Sequence, residues 1–346
     1  MNVCIATYQS TMLLKGGPKT QILQTGKGLA ELGVKVSYYD TWEELKKGDV
    51  DLVHLFGANI GSWHLAREIH KLGIPMVVSP IFFSRHSTPF LRAASAAQRV
   101  AGKLVRGAWT DYGLLADICG WSSAVLPNTN QEARLLASGL GVRRETMTVV
   151  PNGVEDRFRR ATPDLFVKRY GVKDFVLNVG HVGPGRKNVL MLLHALAKIN
   201  VPSVIIGRIE DNDYGRACVA EAKKNPRVML LDAIPNDDEL LASAYAACDV
   251  FALPSLFETP GIAALEAALA GAKIVITKYG GTEEYFGEHA QYVEPSSWEL
   301  IHHGITTALN APKDGALAEH VAGHFLWNQV ARKTLAAYEG VLAQKR

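Results

Sequence analysis

The sequence predicts an α/β protein built from two doubly wound parallel-sheet units in tandem. Three observations carry that expectation. At 346 residues the chain is too long for one ordinary hydrophobic core, so two domains of roughly 150 residues each are expected. Short apolar runs alternate with segments of helical period, the pattern of parallel strands covered by helices on both faces. That alternation restarts in mid-chain, after the turn-forming Pro151-Asn152-Gly153.

In the first half the apolar runs place strands at 3–6, 35–39, 52–55, 75–78, 124–126 and 148–150. The second half repeats the pattern at 175–180, 203–206, 228–231, 250–253 and 273–276, with helical stretches such as 189–199 and 238–247 between them. The last periodic segment, 325–342, reads as one helix whose Trp327, Ala331, Leu335 and Tyr338 recur at helical spacing as packing residues. The expected domains are 1–152 and 153–324, with 325–346 packing back on the first. Sheets of this kind bind ligands beyond the carboxyl ends of their strands, so two facing sheets are expected to form a cleft.

Composition narrows the class. With 48% hydrophobic and 21% charged residues and no low-complexity tract, the chain is expected to be globular rather than disordered. Cys4, Cys119, Cys218 and Cys248 form no C-x-x-C pair, which argues against a zinc site or a disulfide framework and for a reducing, cytoplasmic setting. Met1 runs straight into a strand-like segment and no run of apolar residues is long enough to span a bilayer, so neither secretion nor a membrane span is expected.

Charge is uneven: residues 1–150 carry 16 Lys and Arg against 11 Asp and Glu, whereas 151–346 carry 21 against 23. The excess of base concentrates at 71–110, which has six bases and no acid. There Arg92, Arg99, Lys103 and Arg106 fall on one helical stripe, with Phe90, Ala94, Ala101, Leu104 and Val105 broadly opposite. A basic amphipathic helix suits an anionic membrane, on the inner face of the cell membrane, or a lipid-linked phosphate acceptor. A helix packed on its own domain with a solvated basic face fits equally well. Nucleic acid is a poor partner, since only Trp109 is an aromatic near the stripe.

The residues richest in chemistry are Phe257-Glu258-Thr259-Pro260-Gly261-Ile262-Ala263-Ala264-Leu265-Glu266, just after the strand ending at Leu253. A loop entering a helix at 259–262 leaves backbone N–H groups and the helix dipole directed at an anion, and Gly261 allows close approach. Glu266, about one turn further in, is placed to accept hydrogen bonds from a ribose diol, and Glu258 to face sugar hydroxyls. Taken alone, two such glutamates are usually solvated charges or dipole partners.

The ordered series changes that balance. Gly16-Gly17, Pro151-Asn152-Gly153-Val154, the loop from Gly180 to Asn188, Pro254-Ser255, the two glutamates with seven residues between them, Gly280-Gly281-Thr282-Glu283-Glu284 and the terminal helix together resemble the retaining glycosyltransferases of family 4 across most of the chain. That resemblance implies the GT-B fold, two Rossmann-like domains facing across a cleft. It implies a metal-independent transfer of sugar from a nucleotide diphosphate donor, UDP- or GDP-linked, to a saccharide or lipid-linked acceptor in polysaccharide or glycan assembly, with no cofactor. Glu258 would hold the donor sugar, Glu266 the ribose, and the amides of Gly261 and Ile262 beside Thr259 and Pro260 the pyrophosphate or sugar. Lys187 matches the family's lysine on the pyrophosphate, where a fixed cation stabilises the leaving group as charge develops. Ile234 falls where the base is contacted, and Gly16-Gly17 is either a substrate-approaching loop or a plain turn.

Two departures stand out. Gly180-His181 replaces the family's Gly-Arg, with Arg186 a candidate to compensate, and Ser79-Pro80 stands where many relatives carry a histidine. Two rival readings follow: a non-catalytic partner that binds nucleotide sugar or lipid, and a sugar-nucleotide epimerase on the same fold, which needs no acceptor. Asp211-Asn212-Asp213 has the Asp-x-Asp form of a metal site but sits in a polar loop, where a solvated turn is expected.

Overall fold

Two parallel sheets organise the residues that the computed structural model describes, 1–13, 16–104 and 109–344, with side chains left aside at 98–104. The first sheet holds β1 (Asn2–Thr7), β2 (Lys35–Tyr38), β3 (Leu52–Phe56), β4 (Met76–Ser79) and β5 (Ala124–Val125), in the order β2-β1-β3-β4-β5. The second holds β6 (Val176–Val179), β7 (Ser203–Ile206), β8 (Val228–Leu231), β9 (Val250–Leu253), β10 (Lys273–Thr277) and β11 (Ala290–Val293), in the order β11-β10-β9-β6-β7-β8. β3, β4, β7 and β9 are buried along their whole length, as strands covered on both faces must be. Strand order reverses between β1 and β3 and between β6 and β9, which opens a crevice at the carboxyl ends of each pair.

The chain divides after Gly153 and again after Leu326. One unit is Met1–Gly153 together with the residues from Trp327 onward, the other Val154–Leu326. The helix Trp327–Ala343 packs on the helix Gly17–Glu31 of the first unit. Gly28 makes that approach possible, since a Cβ there would lie 2.7 Å from the Ala331 Cβ. Tyr338 on the same helix bonds through its hydroxyl to His54 Nδ1 (2.6 Å), and His54 Nε2 pairs with the Ser79 hydroxyl (2.9 Å). Ser79 is thus spent inside the core, and burial pushes the His54 imidazole down to about 3, so it is neutral there.

Several local expectations need correction. Residues 148–150 form no strand: the N–H groups of Thr148 and Val150 reach the carbonyls of Val125 and Pro127, but no ladder develops. The terminal helix begins at Trp327 rather than 325 because the Phe325 carbonyl accepts from Val154 N (2.8 Å). In the helix Thr88–Leu104 the inward face holds Leu91 and Ser95, while Phe90 is half exposed and stacks on His86. Arg92 is exposed and donates to the Ser138 carbonyl. Arg106 lies outside the described residues, as do the side chains of Arg99 and Lys103. Among the described residues no helix is long and apolar enough to cross a membrane.

Candidate active site

The loops that follow β6 and β9 meet at the crevice of the second unit. They are clamped together: Leu256 N donates to the Arg186 carbonyl (2.9 Å), and the Asn188 amide donates to the carbonyls of Pro254 (2.9 Å) and Pro295 (2.7 Å). Glu258 N donates to the Tyr279 carbonyl (3.0 Å), which draws in the Gly280-Gly281 turn. Gly280 sits at φ +101°, and a Cβ there would collide with the Glu258 carbonyl, so only glycine fits.

This clamp buries Glu258 to 6% exposure and brings two cations to it, Lys187 Nζ at 2.6 Å from Oε1 and Arg186 at 3.4 Å. Arg186 also donates to the Phe257 carbonyl (3.0 Å) and lies 5.0 Å over the Phe257 ring. Burial alone would raise the Glu258 carboxyl, but the charges of Lys187 and Arg186 outweigh it and hold the group below the usual carboxylate range. Glu258 is therefore an ionised, fixed acceptor at neutral pH.

Thr259 and Pro260 are joined by a cis peptide bond, and Gly261, left-handed at φ +82°, precedes the helix Ile262–Leu269. Glu266 lies inside that helix, 4% exposed. Its two oxygens accept from the Asn236 amide (2.8 Å) and the Tyr245 hydroxyl (2.8 Å). Burial pushes its carboxyl up to about 7, more than those two donors pull it down. Two carboxylates a short helix apart thus have opposite electrostatics, one ionised by cations and one poised near neutrality.

The structure brings Glu258, Lys187 and Arg186 into one cluster and places His181 within reach of the charges of Glu210, Lys187, Arg208 and Arg186. Burial, ahead of those cations, lowers the His181 imidazole. Ile234 follows β8 and is half-buried against the core of the unit. Gly16 and Gly17 belong to the other unit, in the loop after β1, where Gly16 precedes the helix Gly17–Glu31. Asp211-Asn212-Asp213 is a helix start: Asn212 caps Gly215 N (2.8 Å), and Arg216 pairs with Asp211 and Asp213. Sequence reasoning missed Asn236, Tyr245 and Arg208, which come from separate elements and carry no motif.

Comparison with known proteins fits this geometry. Residues 166–320 match the family described as glycosyl transferases group 1, and residues 37–158 match Glycosyltransferase Family 4. The chain is 26% identical over 315 residues to the MMP alpha-(1->4)-mannosyltransferase of Mycolicibacterium hassiacum, covering 86% of this chain and 72% of that protein. It spans only 47–60% of the length of the curated relatives that follow. In structure it resembles the sucrose-phosphate synthase of Thermosynechococcus elongatus, at a TM-score of 0.79 and 17% identity over 99% of both chains. HepE of Anabaena, solved in complex with UDP-glucose, superposes at a TM-score of 0.71 and 17% identity, covering 97% of this chain and 99% of that one. With its two halves matched by these two descriptions and both sheets wound alike, the chain belongs to the family 4 (group 1) glycosyltransferases of the GT-B fold.

Proposed function

We propose that the protein transfers a sugar, with retention of anomeric configuration and without a metal ion, from a nucleotide diphosphate sugar bound by the second unit. The acceptor, a saccharide or lipid-linked molecule, is assigned to the first unit, and the product to polysaccharide or glycan assembly. The observation that carries this reading is the buried Glu258 carboxylate with Lys187 and Arg186 upon it. An ionised acceptor held rigidly suits the hydroxyls of a donor sugar, and the adjacent cations suit the diphosphate that leaves. Glu266 takes the ribose, and Gly261 with Ile262 offers amides at the helix start beside the pyrophosphate.

As charge develops on the departing phosphate, Lys187 stabilises it, and a phosphate oxygen assists removal of the acceptor proton. The UDP-glucose bound by HepE and the glycosyl transfer named for the Mycolicibacterium relative support a nucleotide diphosphate sugar as donor, with UDP- or GDP-sugar the assigned class. The basic segment carrying Arg92, Arg99, Lys103 and Arg106 is assigned a peripheral contact with anionic membrane on its cytoplasmic side, and equal, negligible sedimentation with neutral and anionic vesicles would exclude it.

The deciding experiment pairs donor turnover with stereochemistry. Glu258→Ala should abolish transfer while nucleotide diphosphate still binds, and normal turnover would remove its role. An NMR time course showing an inverted anomer would overturn retention.

A further inference from the structure

We infer that Arg208 is a cation free to receive the donor's diphosphate, in company with Lys187 and beside His181 on the neighbouring strand end. The inference rests on the donor reading above and deepens it.

Charge accounting around the crevice leads there. Lys187 and Arg186 are both drawn onto the single carboxylate of Glu258, so together the three groups leave one net positive charge for a ligand that brings two or more negative ones. Glu210, the other acid near His181, is held by the Asn212 amide (3.0 Å) against the Gly183 turn. Among the described residues the guanidinium of Arg208 makes no ion pair and no hydrogen bond, yet its charge is felt at His181 together with those of Lys187 and Arg186.

Sheet register places it. β6 and β7 run parallel with Val179 opposite Ile206, and the pairing resumes with Val182 opposite Ile209. His181 therefore stands opposite Arg208, and register partners in a parallel pair project on the same side. The backbones touch just before them, since a Cβ at Gly207 would collide with the Gly180 carbonyl. Val182 N then donates to the Arg208 carbonyl (2.9 Å), which fixes the point of departure of the side chain. A guanidinium launched from the end of β7 and an imidazole from the end of β6 thus share one patch at the carboxyl edge of the sheet. Arginine, always charged and forked, is the side chain suited to phosphate there.

The test is calorimetric titration of the full chain with UDP, GDP, ADP and CDP and with the four corresponding monophosphates, on wild type, Arg208→Ala and the double variant His181→Arg/Arg208→Ala. Arg208 is exposed, so its replacement leaves the core untouched. For the diphosphate that wild type binds, Arg208→Ala should weaken affinity by about tenfold to a hundredfold, the worth of a hydrogen bond to a charged group. The corresponding monophosphate should lose less, and the added arginine at 181 should restore the diphosphate. Unchanged diphosphate affinity in Arg208→Ala would overturn the inference while leaving the donor reading intact. An equal loss for diphosphate and monophosphate would overturn it as well. Wild type that binds none of the four diphosphates would overturn the donor reading itself, and the role of Arg208 with it.

Discussion

Replacing Glu266 with glutamine removes a charge from a place where the folded chain resists having one. The carboxyl sits at about 7 in the folded protein against an ordinary 4.5, because burial outweighs the hydrogen bonds from Tyr245 and Asn236. Folded protein therefore holds this proton to higher pH than unfolded protein, and the sign follows: stability falls as pH rises from 4.5 to 7 and levels off above. At about 1.4 kcal/mol per pH unit, wild type should lose roughly 2 to 3 kcal/mol from this group between pH 5 and 8. Glutamine keeps the shape, with its oxygen toward Asn236 and its amide toward the Tyr245 hydroxyl, and has nothing to titrate. Any cost of the altered hydrogen bonds is the same at every pH, so the change with pH in the difference between the proteins isolates the charge. Urea unfolding of wild type and Glu266→Gln at steps between pH 5 and 8, with midpoints compared at equal slope, reads it directly. If the two proteins keep a constant difference in stability across that range, the buried-carboxylate argument fails.

In the proposed ribose contact, the same group would tie ligand binding to protons. Ribose hydroxyls donate to an ionised carboxylate, so nucleotide diphosphate binding at pH 6 should release a proton and weaken about tenfold for each pH unit below 7; calorimetry in buffers of different ionisation heat would detect it, and no proton release would refute it. Gly280→Ala drives a Cβ into the Glu258 carbonyl at a left-handed backbone position, which should cost about 1 to 3 kcal/mol and most of the transfer activity; an unchanged melting temperature would count against the clamp. Tyr338→Phe leaves the buried His54 Nδ1 without its partner and should cost about 1 to 3 kcal/mol in the unfolding of the first unit, with a stability equal to wild type refuting the bond.

How far sequence carried depends on where each residue's neighbours come from. Leu52–Phe56, Ser203–Ile206 and Val250–Leu253 were legible as strands because burial on both faces leaves an unbroken apolar run. Ala290–Val293 was not, because an edge strand with mixed exposure shows no such run. The stripe drawn on Thr88–Leu104 had its inward face misjudged by one residue, Phe90 for Leu91, since both are large and apolar and only the Gly139 surface decides between them. In the crevice, Glu258, Glu266, Arg186 and Lys187 stood out through the ordered series of motifs around them, since each taken alone reads as an ordinary solvated charge. Tyr245 and Asn236 lie 21 and 30 residues before Glu266, the one in an apolar helix and the other in a polar loop, so each reads as ordinary in its place. The pairing of His181 with Arg208 is a matter of sheet register, which no local pattern encodes.

The return of the helix Trp327–Ala343 to the first unit also sets an order of events during synthesis. Residues 1–153 emerge first, yet the surface around Gly28 stays uncovered and His54 lacks its hydroxyl partner until 327–343 have been made, after the whole of the second unit. The unit made first is thus completed last. A stop codon shortly before Trp327 would spare every residue of the crevice in the second unit and instead leave the first unit with an uncovered helix face at Gly28 and His54 without its hydroxyl partner.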